Sequence, residues 1–148
     1  MGPPQYSDLT DDSLDALLGR QQTAVLALAY GDEPYAIPVS YGYDGVEQVF
    51  YFQLVVEPDS EKRQFLGAAP QARLVVTEHR DGVYRSAIAT GRLETVFRDE
   101  LSVEEIHQYS DAKRPLLELW GEDDVIELYE LDPETLTGRE FTTPSEQT

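Results

Sequence analysis

The chain of 148 residues has no cysteine, one methionine, one tryptophan, two histidines and only two lysines, Lys62 and Lys113. Without cysteine there is no disulfide, no thiol nucleophile, no thiolate-held zinc and no iron–sulfur cluster. His79 and His107 are far apart in sequence and match no metal-ligand spacing. Positive charge is scarce: 11 Lys+Arg stand against 29 Asp+Glu, a formal net charge of -18. That balance excludes an ordinary nucleic-acid binder, because phosphate contact needs cationic surface. It argues equally against attraction to anionic membranes. No run approaches the ~20 apolar residues of a spanning helix, and no charged-then-apolar leader opens the chain. The expectation is a soluble, cytoplasmic protein. The G-x-S-x-G, Walker A and Rossmann glycine patterns are also missing.

What is present suffices for a core: 41% of residues are hydrophobic, which predicts one folded domain over 1–148 with loose tails at 1–7 and 142–148. The acids are spread through the chain rather than gathered in a tail. Their mutual repulsion burdens a compact state in dilute salt, whereas in molar salt the Debye length falls to about 3 Å. The composition therefore predicts adaptation to a salty cytosol, with an acidic mesophilic protein as the plainer alternative. With carboxylates everywhere, no pair can be chosen on proximity as a general acid and base. The catalytic residue stays unassigned.

Asp11, Asp12 and Ser13 offer N-cap oxygens, and Leu14, Leu17 and Leu18 share one helical face before Gly19. Three runs with the two-residue period of strands follow, Thr23–Tyr30, Tyr35–Tyr43 and Val49–Val56, and turn residues between them predict an antiparallel meander. A short helix over Asp59–Ala68 precedes two further strands, Ala72–His79 and Val83–Phe97, joined by Arg80-Asp81-Gly82. Ser102 and Glu105 form a capping box for a helix over 103–109, and a second helical piece runs from Pro115 to Gly121. The last strand is Val125–Leu131, after which Asp132-Pro133 turns the chain into Glu134–Gly138. The reading is a mainly β fold with short helices: a six-stranded antiparallel split barrel, Greek-key-like, with helices at its periphery.

Four segments carry candidate chemistry. Alternation places Tyr35, Ile37, Val39, Tyr41 and Tyr43 on one face of the second strand and Ala36, Pro38, Ser40 and Gly42 on the other. The nearly bare face admits either a flat ring system against the backbone or a packed strand or subunit. Pro38 forfeits a ladder donor, which implies an edge, a bulge or a split. The third strand, VFYFQLVV, is apolar on both faces except at Gln53, so two surfaces must cover it, and a second copy of the chain could be one. Gln53 then needs partners, either a backbone carbonyl or the polar edge of a ligand. In Asp59-Ser60-Glu61-Lys62-Arg63 two cations sit in a first helical turn, against the helix dipole. They fit a phosphate site with Ser60, or a solvated face with Lys62 paired to Asp59 or Glu61. Arg85, beside Ser86 in mid-strand, needs an acid such as Glu94 or a ligand anion.

In order and spacing these pieces resemble the flavin-binding split barrels related to pyridoxamine 5'-phosphate oxidase. The resemblance runs from about Gln21 to Glu94, through AVLALAYGDEPYAIPVSYGYDG, FYFQ, DSEKRQFLGAAPQARLVV and YRSAIATGRLE. It implies FMN held between the subunits of a homodimer. Pro38, Val39, Ser40 and Tyr41 would lie along the flavin ring. Phe52 and Gln53 would meet its polar edge, and Ser60, Lys62 and Arg63 its phosphate, with Arg85 and Ser86 near the ring or phosphate. Ser86 stands where the family usually has Gln. The family's C-terminal substrate-gripping arginine motif is not recognisable in ELDPETLTGREF, so vitamin B6 oxidation is not expected. YELDPETLTGREF is similar to salt-loving archaeal members of an uncharacterised branch. The resemblance thus implies an FMN-dependent oxidoreductase with an unknown small-molecule substrate. The alternatives are a non-catalytic flavin, deazaflavin or haem carrier of this fold, and an acidic structural dimer.

Overall fold

The computed structural model describes residues 5–57, 61–67, 69–104 and 125–142. Among these residues nine strands and two complete short α-helices appear in the order β1 (Gln5–Asp8), α1 (Asp11–Arg20), β2 (Thr23–Tyr30), β3 (Glu33–Ser40), β4 (Gly42–Asp44), β5 (Val49–Val56), α2 (Glu61–Leu66), β6 (Gln71–Arg80), β7 (Val83–Val96), β8 (Val125–Leu131) and β9 (Thr135–Thr142). Every ladder is antiparallel. The fold is the mainly β split barrel that the alternation implies.

Hairpin chemistry builds the first part. β2 and β3 pair along their whole length, from Thr23 opposite Ser40 to Tyr30 opposite Glu33. β6 and β7 turn through Asp81 (φ 54) and Gly82 (φ 77), the left-handed pair that a tight two-residue hairpin requires. The expected meander is corrected. The run predicted as one strand over 35–43 breaks at Tyr41, so that β3 pairs with β2 while β4 pairs with β5. The hydrogen-bonded order is β3-β2-β6-β7-β8-β5-β4. It therefore begins and ends on the same stretch of chain, interrupted only at Tyr41, and this closes the barrel and leaves it split there.

β7 is shared between two sheets: Val83–Thr90 pairs with β9 along one edge, while Leu93–Val96 beyond it pairs with β8. The crossing point is Gly91, where an added Cβ would lie 2.9 Å from the Asp132 carbonyl oxygen. Two strands were not anticipated. Gln5–Ser7, expected in the loose arm at 1–7, join Asp8 as β1, and the segment after Pro133, including Thr142 expected in the tail, is β9, which sits between β1 and β7. Of the helices expected after Ser102, Val103 and Glu104 are helical; 105–124, with the piece from Pro115, lie outside the described residues.

The core is the barrel interior, where Leu26, Leu74, Phe50, Phe52, Val56, Leu93 and Leu131 are wholly buried. α1 closes one side with Leu14, Leu17 and Leu18. Its N-cap is Thr10, whose hydroxyl accepts from the Ser13 N–H at 3.1 Å; Asp11 and Asp12 fall inside the first turn instead. α2 brings Phe65 and Leu66 into the same core. β5 is covered twice, as its composition requires: Phe50, Phe52 and Leu54 face the barrel, and Tyr51 joins Leu128 in a second cluster with Val49, Val96, Leu101 and Ile126. Part of that second cover thus comes from the same chain.

Candidate functional site

The point where the ladder between β4 and β5 stops is the centre of the site. Gly42 pairs with Tyr51, so Tyr41 and Phe52 are the next residues on the two strands, and Ser40 and Gln53 follow. There β3 leaves for β2. One strand further, Gln53 pairs with Leu128 and Leu54 with Glu127 on β8. Arg63 of α2 reaches Glu127 Oε1 at 3.2 Å, while Phe65 of the same helix stacks on Tyr35 of β3, 4.9 Å between centroids. α2 therefore bridges β3 and β8 across the split. Pro38–Tyr41 and Phe52–Gln53 meet at the split, whereas Arg63 reaches β8 at Glu127, opposite Leu54 on the barrel-facing side and away from the face that carries Gln53. Ser60 and the side chain of Lys62 lie outside the described residues.

Within that group the side chains divide. Val39 and Tyr41 point into the core, and the Tyr41 hydroxyl donates to the Leu18 carbonyl at 2.8 Å. Burial pushes the Tyr41 phenol up, so it stays protonated. Tyr43 likewise donates to Asp15 Oδ1 at 2.6 Å, and the two tyrosines fasten α1 to the split. Phe52 is fully buried. Ala36 and Pro38 are exposed on the opposite face, with Ser40 buried beyond them. What β3 offers a ligand is thus its backbone and small side chains, and Gln53, half-buried on the second face of β5, offers an amide. No Asp or Glu occurs over 34–43 or 49–56. In so acidic a chain that donor set suits a flat, anionic ligand.

Arg85 and Ser86 stand apart. Ser40 pairs with Thr23, and Ser86 with Thr77, which puts Ser86 three strands from Ser40, about 14 Å at ordinary strand spacing. Arg85 bonds Glu78 Oε1 at 3.1 Å and Glu140 at 2.9 Å, so the acids beside it are these and not Glu94. Arg20 completes the network with two bonds to Glu78, at 2.5 and 2.7 Å. The two guanidiniums hold the Glu78 carboxyl down to about 2, bonding to Arg20 being the larger cause.

Sequence reasoning missed a triad at the barrel mouth. The Tyr129 hydroxyl donates to Glu127 Oε2 while Arg63 holds Oε1. Alternation in VIELYEL places Glu127 and Tyr129 on the face that Leu131 carries into the core. That signal was available, but it could not say that Arg63 would come to meet them.

The outward face of β3, β2, β6, β7 and β9 has a distinct character. Its rows include Pro38, Val25, Val75 and Ile88, and beside them His79, Tyr84 and Phe141. Val25, Ile88 and Tyr84 are 44%, 38% and 44% exposed. Among its outward positions from Pro34 to Ser40, Thr23 to Ala29, Gln71 to His79, Tyr84 to Arg92 and Thr135 to Phe141 there is no Asp or Glu, although the chain carries 29. Arg73, Arg92 and Arg139 lie there instead.

Among the described residues no group of His, Asp and Glu could hold a metal, and no helix is long and apolar enough to cross a membrane. Ladder order and split together define a small antiparallel barrel in which β3 leaves β4 and β5 at Tyr41 and α2 spans from β3 to β8. The profile of the family Pyridoxamine 5'-phosphate oxidase matches residues 10–140. The chain belongs to that family. No curated protein matches it in sequence. Among solved structures it is similar to a candidate pyridoxamine 5'-phosphate oxidase of Corynebacterium glutamicum, with TM-score 0.70 and 20% identity over 99% of each chain. It is also similar to an FAD-binding protein of Mesorhizobium loti, with TM-score 0.70, 22% identity, and 91% of this chain and 97% of that one covered. A haem-binding protein of Mycobacterium smegmatis has TM-score 0.63 and 16% identity over 90% of this chain and 57% of its own. At these identities the likeness is one of fold.

Proposed function

We propose that the chain binds FMN in a crevice between two copies of itself and works as a flavin-dependent oxidoreductase. The observation that supports this reading is the meeting of the small-residue strand Pro38–Tyr41 with Phe52 and Gln53 at the split, on strands free of carboxylates, with Arg63 on the helix that spans from β3 to β8. Ser60, Lys62 and Arg63 would hold the phosphate. The backbone of Pro38, Val39, Ser40 and Tyr41 would lie along the ring, with Phe52 fixing β5 from the core and Gln53 bonding the polar edge. Arg85 and Ser86 stand outside this group within one chain. When bound, flavin supplies the hydride or electron chemistry; the chain's residues bind it, orient it and exclude water. The outer face of β3, β2, β6, β7 and β9, where the stretches named above lack carboxylates and Asp8 of β1 lies at the edge opposite Arg139, supports the second copy, because two chains of charge -18 approach most easily where neither presents carboxylates.

Protein purified without added cofactor, in high salt, tests the reading. A flavin spectrum lost on denaturation, the mass of a dimer in solution, and bleaching by NADH or NADPH with reoxidation in air are expected. Protein that is colourless and ignores added FMN ends the flavin reading, and a haem spectrum transfers the site to another cofactor. Lys62→Ala with Arg63→Ala weakens FMN binding by about 3 kcal/mol or more if both meet phosphate, at ~1.5–3 per charge-assisted bond.

A further inference from the structure

We infer that Glu127 is a built-in competitor for the phosphate, holding Arg63 when the crevice is empty and setting how strongly the site prefers phosphorylated over phosphate-free ligands. This rests on the flavin reading and adds a residue that the resemblance does not name. Glu127 is pinned from below. Its Oε2 accepts from the hydroxyl of Tyr129, whose ring is 2% exposed in the core. Burial, and then the bond to Glu127, raise that phenol, so it remains a donor at every physiological pH. The carboxylate is therefore fixed in place, and Oε1 is left for Arg63.

Arg63 is held far less firmly. One nitrogen makes the contact, at 3.2 Å, and the side chain is 44% exposed. A single-nitrogen pair so open to water is weak. A phosphate, with more charge and several acceptor oxygens, makes the stronger bond to a guanidinium. Arg63 can thus exchange Glu127 for phosphate, while Glu127 stays on Tyr129. A phosphate that takes the same nitrogen must displace this carboxylate, and one held by the other two nitrogens still stands near its charge, whereas a phosphate-free ligand need do neither.

The test is Glu127→Gln, which keeps the shape and an acceptor for Tyr129. Affinities for FMN and riboflavin are measured by fluorescence quenching on the full chain in high salt. The FMN-over-riboflavin preference rises about fivefold, the scale of one half-exposed ion pair. In an Arg63→Gln background the same change has no effect on the preference. A preference that falls overturns the inference, since Glu127 would then be aiming Arg63 at the phosphate. An unchanged preference overturns it as well, as does a rise that persists without Arg63. If the wild-type protein takes up no flavin at all, the flavin reading fails by itself, and Glu127 is read with inorganic phosphate instead. Phosphate should then raise Tm more in Glu127→Gln than in wild type, against KCl of matched ionic strength, and equal shifts reject the competition.

Discussion

Glu78 shows how single residues are controlled in this chain. Its carboxylate is 8% exposed and takes bonds from both Arg20 and Arg85. Its folded pKa, about 2, lies below the unfolded value of 4.5. A depressed carboxylate contributes stability that is fully present above the unfolded value and is lost as pH falls toward the folded one. Glu78→Gln is expected to lower stability by about 1–2 kcal/mol near neutral pH, a figure kept small because Arg20 is partly in water. The difference in thermal midpoint from wild type should hold above pH 4.5 and close as pH approaches 2. A constant difference across that range would show that the two arginines stabilise the fold by packing alone. None of these partnerships was legible in the sequence. With 29 acids available, the register of β6 on β7 and of β7 on β9 decides which ones reach Arg85, and register is a tertiary fact.

At the scale of elements, Gly91 is the joint on which β7 changes sheets. A methyl group there would stand 2.9 Å from the Asp132 carbonyl oxygen and 3.2 Å from Pro133 Cα. Both are backbone atoms that cannot rotate away. Gly91→Ala should destabilise by about 1–3 kcal/mol, read as a lower denaturation midpoint; an unchanged midpoint would show that the turn after β8 yields freely. The elements themselves were unevenly legible. β2, β5 and β8 have the predicted bounds, because their apolar residues alternate strictly or run unbroken between clear turns. β1 and β9 were not anticipated. QYSD and TLTGREFT alternate little that is apolar, and they become strands only because each finds an edge to pair with. The break at Tyr41 was hidden for the opposite reason: alternation runs through it undisturbed, and only closure of the barrel divides the run. At the split itself the strand runs that carry Pro38–Tyr41 and Phe52–Gln53 were readable in the sequence, but the carboxylate that meets Arg63 was not.

For the whole molecule, charge is the governing quantity. A net charge of -18 on 148 residues opposes compactness in dilute buffer and is screened in molar salt. The midpoint of thermal unfolding should rise steadily from dilute buffer to molar KCl; a flat response would mean that ion pairs such as those of Glu78 already offset the repulsion. The proposed dimer across the outer face should strengthen in the same direction, because the carboxylates rimming that face are screened together with the rest.

The pairing of β1 with β9 has a mechanical consequence. Gln5 lies opposite Thr142, and Thr142 also lies opposite Val83, so the first and last described strands leave the sheet from the same end of their ladders. A load applied between residues 5 and 142 would peel these ladders open one bond after another instead of shearing them all at once. Pulled from its own ends, the barrel is a zipper, whatever its resistance to heat.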